Sequence, residues 1–331
     1  MLRLSGQQGL QPGDIIIGVN NEHVMNVPSI NMLLRGKAGE SVRLEVQRIY
    51  SRSSVDELRR AKQQLLEEDN DNTFDLKTES LVVVPLSGDD RDDLIYAAWE
   101  WKTRESAKIL AAESGFSIGY IHLRSMSGAS AEDAFARGFY PDHDKKAFII
   151  DVRHNSGGNI DSWLLDALQR KAWMYWQGRE DSNGGLMWDE QFAFRGHLVV
   201  LIDEKTNSDA EAFARGVLEL GLGKVVGKRS WGGGIWLDSD NTLVDGGITT
   251  APEYGVYSDR YGWGMGIEQI GIMPDIEVDN NPRDAYEGRD KQLEVAISVL
   301  NDWLEKEEVA LPKNPGRPGS MRKKTNEECD V

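Results

Sequence analysis

The sequence predicts an α/β fold: a core of βαβ units, preceded by a small β domain and a helical linker. Three observations predict it. After Phe116, apolar runs at 118–123, 147–152 and 198–202 are each followed by a helical pattern, the signature of strand–helix crossovers and mainly parallel pairing. Residues 9–48 instead combine turn residues with period-two alternation. The 331 residues are 40% hydrophobic and 28% charged, enough for a real core and about two domains. The net charge of −17 argues against nucleic acid or an anionic membrane as a main partner. No run approaches the ~18 apolar residues of a membrane span. The single cysteine, Cys329, excludes a disulfide within the chain and fits a reducing cytoplasm.

In chain order, Gly9-Leu10-Gln11-Pro12-Gly13-Asp14 is a turn leading into a strand at 15–19. Asn20 and Asn21 tolerate positive φ and form a hairpin turn. A short helix at 28–34 follows, with Ser29 near its start, and Val42, Leu44 and Val46 alternate as a strand. The charged pattern at 55–68, broken by the acidic run 67–72, reads as an exposed helical insertion within 51–80. Residues 81–86 close the first domain, 1–88. The linker, 89–115, is helical, with Leu94, Ala97, Ala98 and Trp101 on one face and Tyr96, Trp99 and Trp101 expected to pack. In the core, 116–310, helices are expected at 129–138, 159–172, 210–220 and 291–304, and a further strand at 224–227. Hairpin signals stand at Asp238-Ser239-Asp240-Asn241 and Asp245-Gly246-Gly247. The tail, 311–331, is polar and aperiodic and is expected to be disordered.

Three stretches could converge on chemistry. Ser208 lies where a buried strand turns into a helix, a place that exposes a serine Oγ beside free helical N–H groups. Ser208 or Asp209 could equally serve there only as an N-cap. Gly157-Gly158 follows the strand at 147–152, and paired glycines allow close backbone approach and free N–H groups. The third stretch, Gly227-Lys228-Arg229-Ser230-Trp231-Gly232-Gly233-Gly234-Ile235, could accept an extended peptide.

Taken in order, these motifs resemble the tail-specific, or C-terminal-processing, serine peptidases. The resemblance rests on Asp151-Val152-Arg153-His154-Asn155-Ser156-Gly157-Gly158, the Ser208 turn, the glycine-rich stretch, Gly119-Tyr120-Ile121 and Gly271-Ile272-Met273-Pro274-Asp275. Residues 9–20 resemble the second half of a PDZ domain, whose first strands and carboxylate-binding loop would precede residue 1. The resemblance implies a ClpP/crotonase-like peptidase core behind a truncated PDZ-like domain. One departure is informative: Gly233 stands where processing peptidases carry their lysine base. The tricorn branch uses histidine instead, and Asn207-Ser208-Asp209-Ala210-Glu211 with Glu268 resembles that branch.

By that resemblance Ser208 is the nucleophile, and the N–H groups of Asp209, Gly157 and Gly158 form the oxyanion hole. Glu268 belongs to the relay, and Gly233, Gly234, Ile235 and Trp236 line the substrate strand. No metal or cofactor is implied. The implied substrates are short unfolded peptides, and the implied state is a cytoplasmic homo-oligomer, hexameric in the branch. Its histidine lies in a helical domain ahead of the PDZ domain. The chain is therefore expected to be a C-terminal portion holding half a site, weakly active or inactive alone. His23, His122, His143, His154 and His197 are expected to be structural, with His154 the best placed to be otherwise. Two other readings stand beside this one. The chain could be a non-catalytic peptide-binding or scaffold module. It could also be an acyl-CoA enzyme of crotonase type, against which Ser208 and the PDZ-like segment argue.

Overall fold

Residues 9–11, 13–49, 76–176 and 187–312 are described by the computed structural model, which divides into two compact units, Met1–Trp99 and Glu100–Val331. In the first, β1 (Ile15–Val19), β2 (Glu22–His23), β3 (Val42–Ile49) and β4 (Leu76–Val83) form an antiparallel sheet in the order β2-β1-β3-β4. Asn20 and Asn21 take φ of 48° and 70° at the β1–β2 turn, as the sequence predicts. Ser29 caps α1 (Ile30–Leu34) by accepting the Asn31 N–H. Val42, Leu44 and Val46 all point into a small core with Val19 and Val83. Arg48 is buried beneath it, its charge met by Asp14 at 2.6 Å and Glu79 at 3.2 Å.

The closing strand starts earlier than its apolar stretch suggests. β4 pairs with β3 from Leu76↔Ile49 to Val83↔Val42 without a register break. It is an edge strand, so Lys77, Thr78 and Glu79 can occupy it, and that polar half hides the strand from a hydrophobicity reading. Residues 76–80 of the expected insertion are therefore strand. The rest of that insertion, with its helix at 55–68, lies outside the described residues, as does the expected disordered tail beyond residue 312.

Helix α2 (Gly88–Ser114) spans the boundary between the units. Its packing corrects the expected apolar face. Leu94 and Trp101 are exposed, as is Ile109, while Thr103 and Ala107 are buried. Small side chains one turn apart let a helix approach its neighbours closely, and Ala107 joins the core of the second unit.

That unit is built on a five-stranded, all-parallel sheet in the order β15-β10-β9-β6-β5. The strands are β5 (Ile118–His122), β6 (Ala147–Asp151), β9 (His197–Ile202), β10 (Lys224–Gly227) and β15 (Ile276–Glu277). Every residue of β6 and β9 is buried, which is why both read as unbroken apolar runs. The crossover helices α3 (Gly128–Phe139), α4 (Asp161–Gln169) and α5 (Asp209–Glu219) bring Phe135, Phe139, Leu164 and Phe213 to one core. The other core takes Leu293, Ala296, Ile297 and Leu300 from α7 (Lys291–Lys306), which follows the short α6 (Pro282–Glu287). Each fully buried aliphatic or aromatic side chain contributes about 1.5–3 kcal/mol.

Two small ribbons were not read from the sequence: β7 (Met174–Trp176) with β8 (Met187–Asp189), and β13 (Tyr257–Ser258) with β14 (Gly262–Trp263). Of the two expected hairpin turns, only Asp245-Gly246-Gly247 turns the chain, between β11 (Trp236–Thr242) and β12 (Ile248–Tyr254). Asp238-Ser239-Asp240-Asn241 is instead a register shift inside β11, because pairing with β12 resumes at Asn241↔Thr249.

Candidate active site

The site lies beyond the carboxyl ends of β6 and β9, where loops leave a parallel sheet. Its floor is the Asp-x-Arg-x-Asn run. The Asp151 carboxylate, fully buried, accepts bonds from the Arg153 guanidinium and from Tyr120 Oη at 2.8 Å. Burial alone would raise the Asp151 carboxyl, but Arg153 and His122 outweigh it and hold it well below the usual carboxylate range. Arg153 also reaches Asp290 and Gln292 at the start of α7, tying the loop after β6 to the terminal helix. Asn155 then shapes the turn. Its Nδ2 donates to Leu123 O and its Oδ1 accepts the Gly157 N–H, each at 2.8 Å. Its own carbonyl accepts the Asn207 N–H at 2.9 Å, which stitches this loop to the one carrying Ser208.

Ser208 takes φ 56° and ψ −121°, a conformation that costs a residue with a Cβ about 1–3 kcal/mol. The surrounding bonds impose it. Ser208 N–H donates to Glu211 Oε2 at 2.9 Å, and Ser208 O accepts the Glu211 and Ala212 N–H groups. The Glu211 amide bonds to that carbonyl at 2.8 Å, and Ser208 and Glu211 pair across the first turn of α5 as a capping box.

The paired glycines close around it. A Cβ on Gly157 (φ 94°) would lie 2.6 Å from Ser208 Cβ and 2.9 Å from Asp209 N. Gly158 bridges to Met126, and a Cβ there would meet Met126 O at 1.9 Å. Among the described residues, the N–H groups of Asp209 and Gly158 donate to no protein acceptor. The Gly157 N–H is already spent on Asn155. The two loops that meet at Ser208 therefore each keep one amide without a protein acceptor among the described residues.

The glycine-rich stretch abuts the same turn, since a Cβ on Gly233 would sit 2.6 Å from Asn207 Oδ1. Glu211 organises it. This fully buried carboxylate accepts Ser230 Oγ at 2.5 Å, the Gly232 N–H at 2.7 Å and the Gly233 N–H at 2.8 Å, besides the Ser208 N–H. Sequence reasoning gave Glu211 no role. The available signal was a glutamate three residues after the turn serine, the spacing of a capping box. Glu268 Oε2 accepts the Gly234 N–H at 2.9 Å and so backs the proposed substrate strand. Ile235 and Trp236 continue it into β11, with Ile235 exposed.

Each histidine has a partner. His154 Nε2 lies 3.4 Å from Asp203, and burial lowers its pKa. His197 bonds to Glu307 O and stacks on Trp303, and His143 bonds to Tyr140 O. His122 lies against Asp151, and His23 accepts the Met25 N–H.

A serine held in a strained strand-to-helix turn stands where nucleophilic serines are often placed, and comparison narrows the class. Residues 117–278 match peptidase family S41 and residues 5–48 match the PDZ domain. The core segment belongs to the S41 serine peptidases, behind a PDZ segment. Within that family the chain is similar to tricorn proteases. It is 32% identical over 305 residues to Tricorn protease homolog 1 of Streptomyces coelicolor, covering 92% of this chain and 25% of that protein. It is 30% identical over 234 residues to the tricorn protease of Thermoplasma acidophilum, covering 71% and 21%. A crystal structure of the tricorn protease superposes with a TM-score of 0.62 at 26% identity, covering 90% of this chain and 26% of that one. The chain spans about a quarter of the length of these relatives.

Proposed function

We propose that the chain supplies the nucleophile half of a serine peptidase site acting on short, unfolded peptides. The observation that carries this is Ser208, held in a strained strand-to-helix turn against the Gly157-Gly158 loop, with the Asp209 and Gly158 N–H groups donating to no protein acceptor among the described residues. Ser208 Oγ attacks the scissile carbonyl carbon, and the oxygen that becomes negative is stabilised by those two donors. The C–N bond then breaks, the amine leaves with a proton, and water hydrolyses the acyl-enzyme. An extended substrate lies along Gly233, Gly234, Ile235 and Trp236. Glu268 fixes that strand through Gly234 and belongs to the relay. The Ser208 proton passes to a group other than the five histidines, each of which is engaged elsewhere.

Homo-oligomeric assembly and a cytoplasmic setting follow from the tricorn resemblance, and sedimentation velocity tests the first. Among the described residues no helix is long and apolar enough to cross a membrane.

Treatment with a serine-directed phosphonate, followed by peptide mapping, tests the site. Slow labelling at Ser208, lost in Ser208→Ala, is the expected result. Rapid peptide hydrolysis that survives Ser208→Ala overturns the assignment. Peptide binding with no labelling at all points to a non-catalytic binding module.

A further inference from the structure

Asp209 contributes to the site through more than its backbone. Its side chain is buried, 1% exposed, at the first residue of α5. Oδ2 accepts the Ile160 N–H at 2.8 Å and the Asp161 N–H at 3.1 Å, two amides at the start of α4. Ile160 stands two residues after Gly158. A helix is usually capped by the residue just before it. Here the acceptor comes from a different helix, from the residue next to the nucleophile. Among the described residues, Oδ1 is buried with no hydrogen-bond partner.

We infer that the Asp209 carboxylate is a positioning residue for the oxyanion hole, clamping the Gly157-Gly158 arm onto the Ser208 arm. The inference rests on Ser208 being the nucleophile. One residue then supplies one donor through its own N–H and holds the other in register through its side chain. Displacement of such a donor by a fraction of an ångström is felt directly in the stabilisation of the oxyanion.

The chemistry around Asp209 makes the clamp adjustable. Burial, then the neighbouring Asp161 carboxylate, push its pKa up to about 7. Asp161 faces it from α4, the loop at 157–159 presents backbone, and Glu211 on its own helix is turned to Ser230, Gly232 and Gly233. The ionised form accepts amide hydrogen bonds more strongly than the neutral form. The clamp therefore tightens above neutrality and slackens below it.

A peptide boronic acid tests this on the full chain, because its tetrahedral serine adduct places an oxygen in the hole. Boron-11 NMR reports the adduct, and competition gives its affinity. The wild type forms an adduct that Ser208→Ala abolishes; no adduct in the wild type overturns the nucleophile assignment and the clamp with it. Asp209→Asn weakens the adduct about tenfold while leaving the affinity for the unmodified peptide unchanged. Equal adduct affinity in that variant overturns the clamp and leaves the nucleophile standing. Asp161→Asn removes the like charge and moves the acid limb of adduct affinity down by about half a pH unit or more. A limb that stays in place overturns the clamp even where Asp209→Asn fails to fold.

Discussion

The two glycine-rich segments beside Ser208 look alike in sequence and are wired in opposite senses. In the Gly157-Gly158 loop, one amide is spent on Asn155 and the next has no protein acceptor among the described residues. In the Gly232-Gly233-Gly234 segment, all three amides are taken, two by Glu211 and one by Glu268. The first loop can meet developing negative charge. The second has already been met by negative charge, and with the Gly232 carbonyl taken by the Gln269 N–H, what it can offer a substrate is its edge and the carbonyls of Gly233 and Gly234. Glycine content permits both arrangements; the carboxylate placed behind a loop, or its absence, decides which one is made.

The sharpest way to break this contrast is to fill the first loop. Gly158→Ala drives a Cβ into Met126 O, at 1.9 Å before relaxation, so the backbone must move. Ser208 labelling should fall by about 10²–10³, the range for losing an oxyanion donor, and phosphonate kinetics would show it. Glu211→Gln attacks the second loop from behind. It puts an amide against N–H donors, and about 2 kcal/mol should be lost from stability in urea unfolding, with labelling slowed about thirtyfold. An unchanged variant would remove Glu211 from the centre of the site. Glu268→Gln neutralises a single amide's acceptor and a relay carboxylate, so an effect of about threefold to tenfold should appear in peptide affinity together with a slower labelling rate. His154→Ala is expected to change labelling by less than about twofold, as befits a side chain tied to Asp203 whose pKa burial lowers. A hundredfold drop there would make His154 the base.

The features legible in the sequence were those written locally. Apolar runs announced β6 and β9 because both are buried on two faces, and Asn20-Asn21 announced its hairpin through conformational preference. The position of Ser208 was legible for the same reason, since a strand, a turn and a helix are contiguous there. Glu211 was not, because its partners stand about twenty residues downstream and only the fold brings them to it. The exposed Trp101 and the polar strand at 76–80 misled for a complementary reason. Each was judged by its own pattern, whereas an edge position and a close-packing Ala107 set the outcome. The role of Asn155 was half visible: its motif was recognisable, but its hydrogen bonds to Leu123 and Gly157 belong to the folded chain.

The buried Asp209 also contributes to the pH dependence of folding. Its carboxyl rises from 3.8 to about 7 on folding, so the native state binds that proton more tightly than the unfolded chain does. Its contribution to folding is complete below about pH 4 and drains away as the pH climbs through about 7. Above neutrality, where its hold on the Ile160 and Asp161 amides is firmest, the native state carries an uncompensated charge. Replacement by asparagine should then raise the melting temperature at pH 8 and do much less at pH 5. The share of stability that Asp209 contributes and its hold on the oxyanion arm would thus be greatest on opposite sides of neutrality, both turning on one proton.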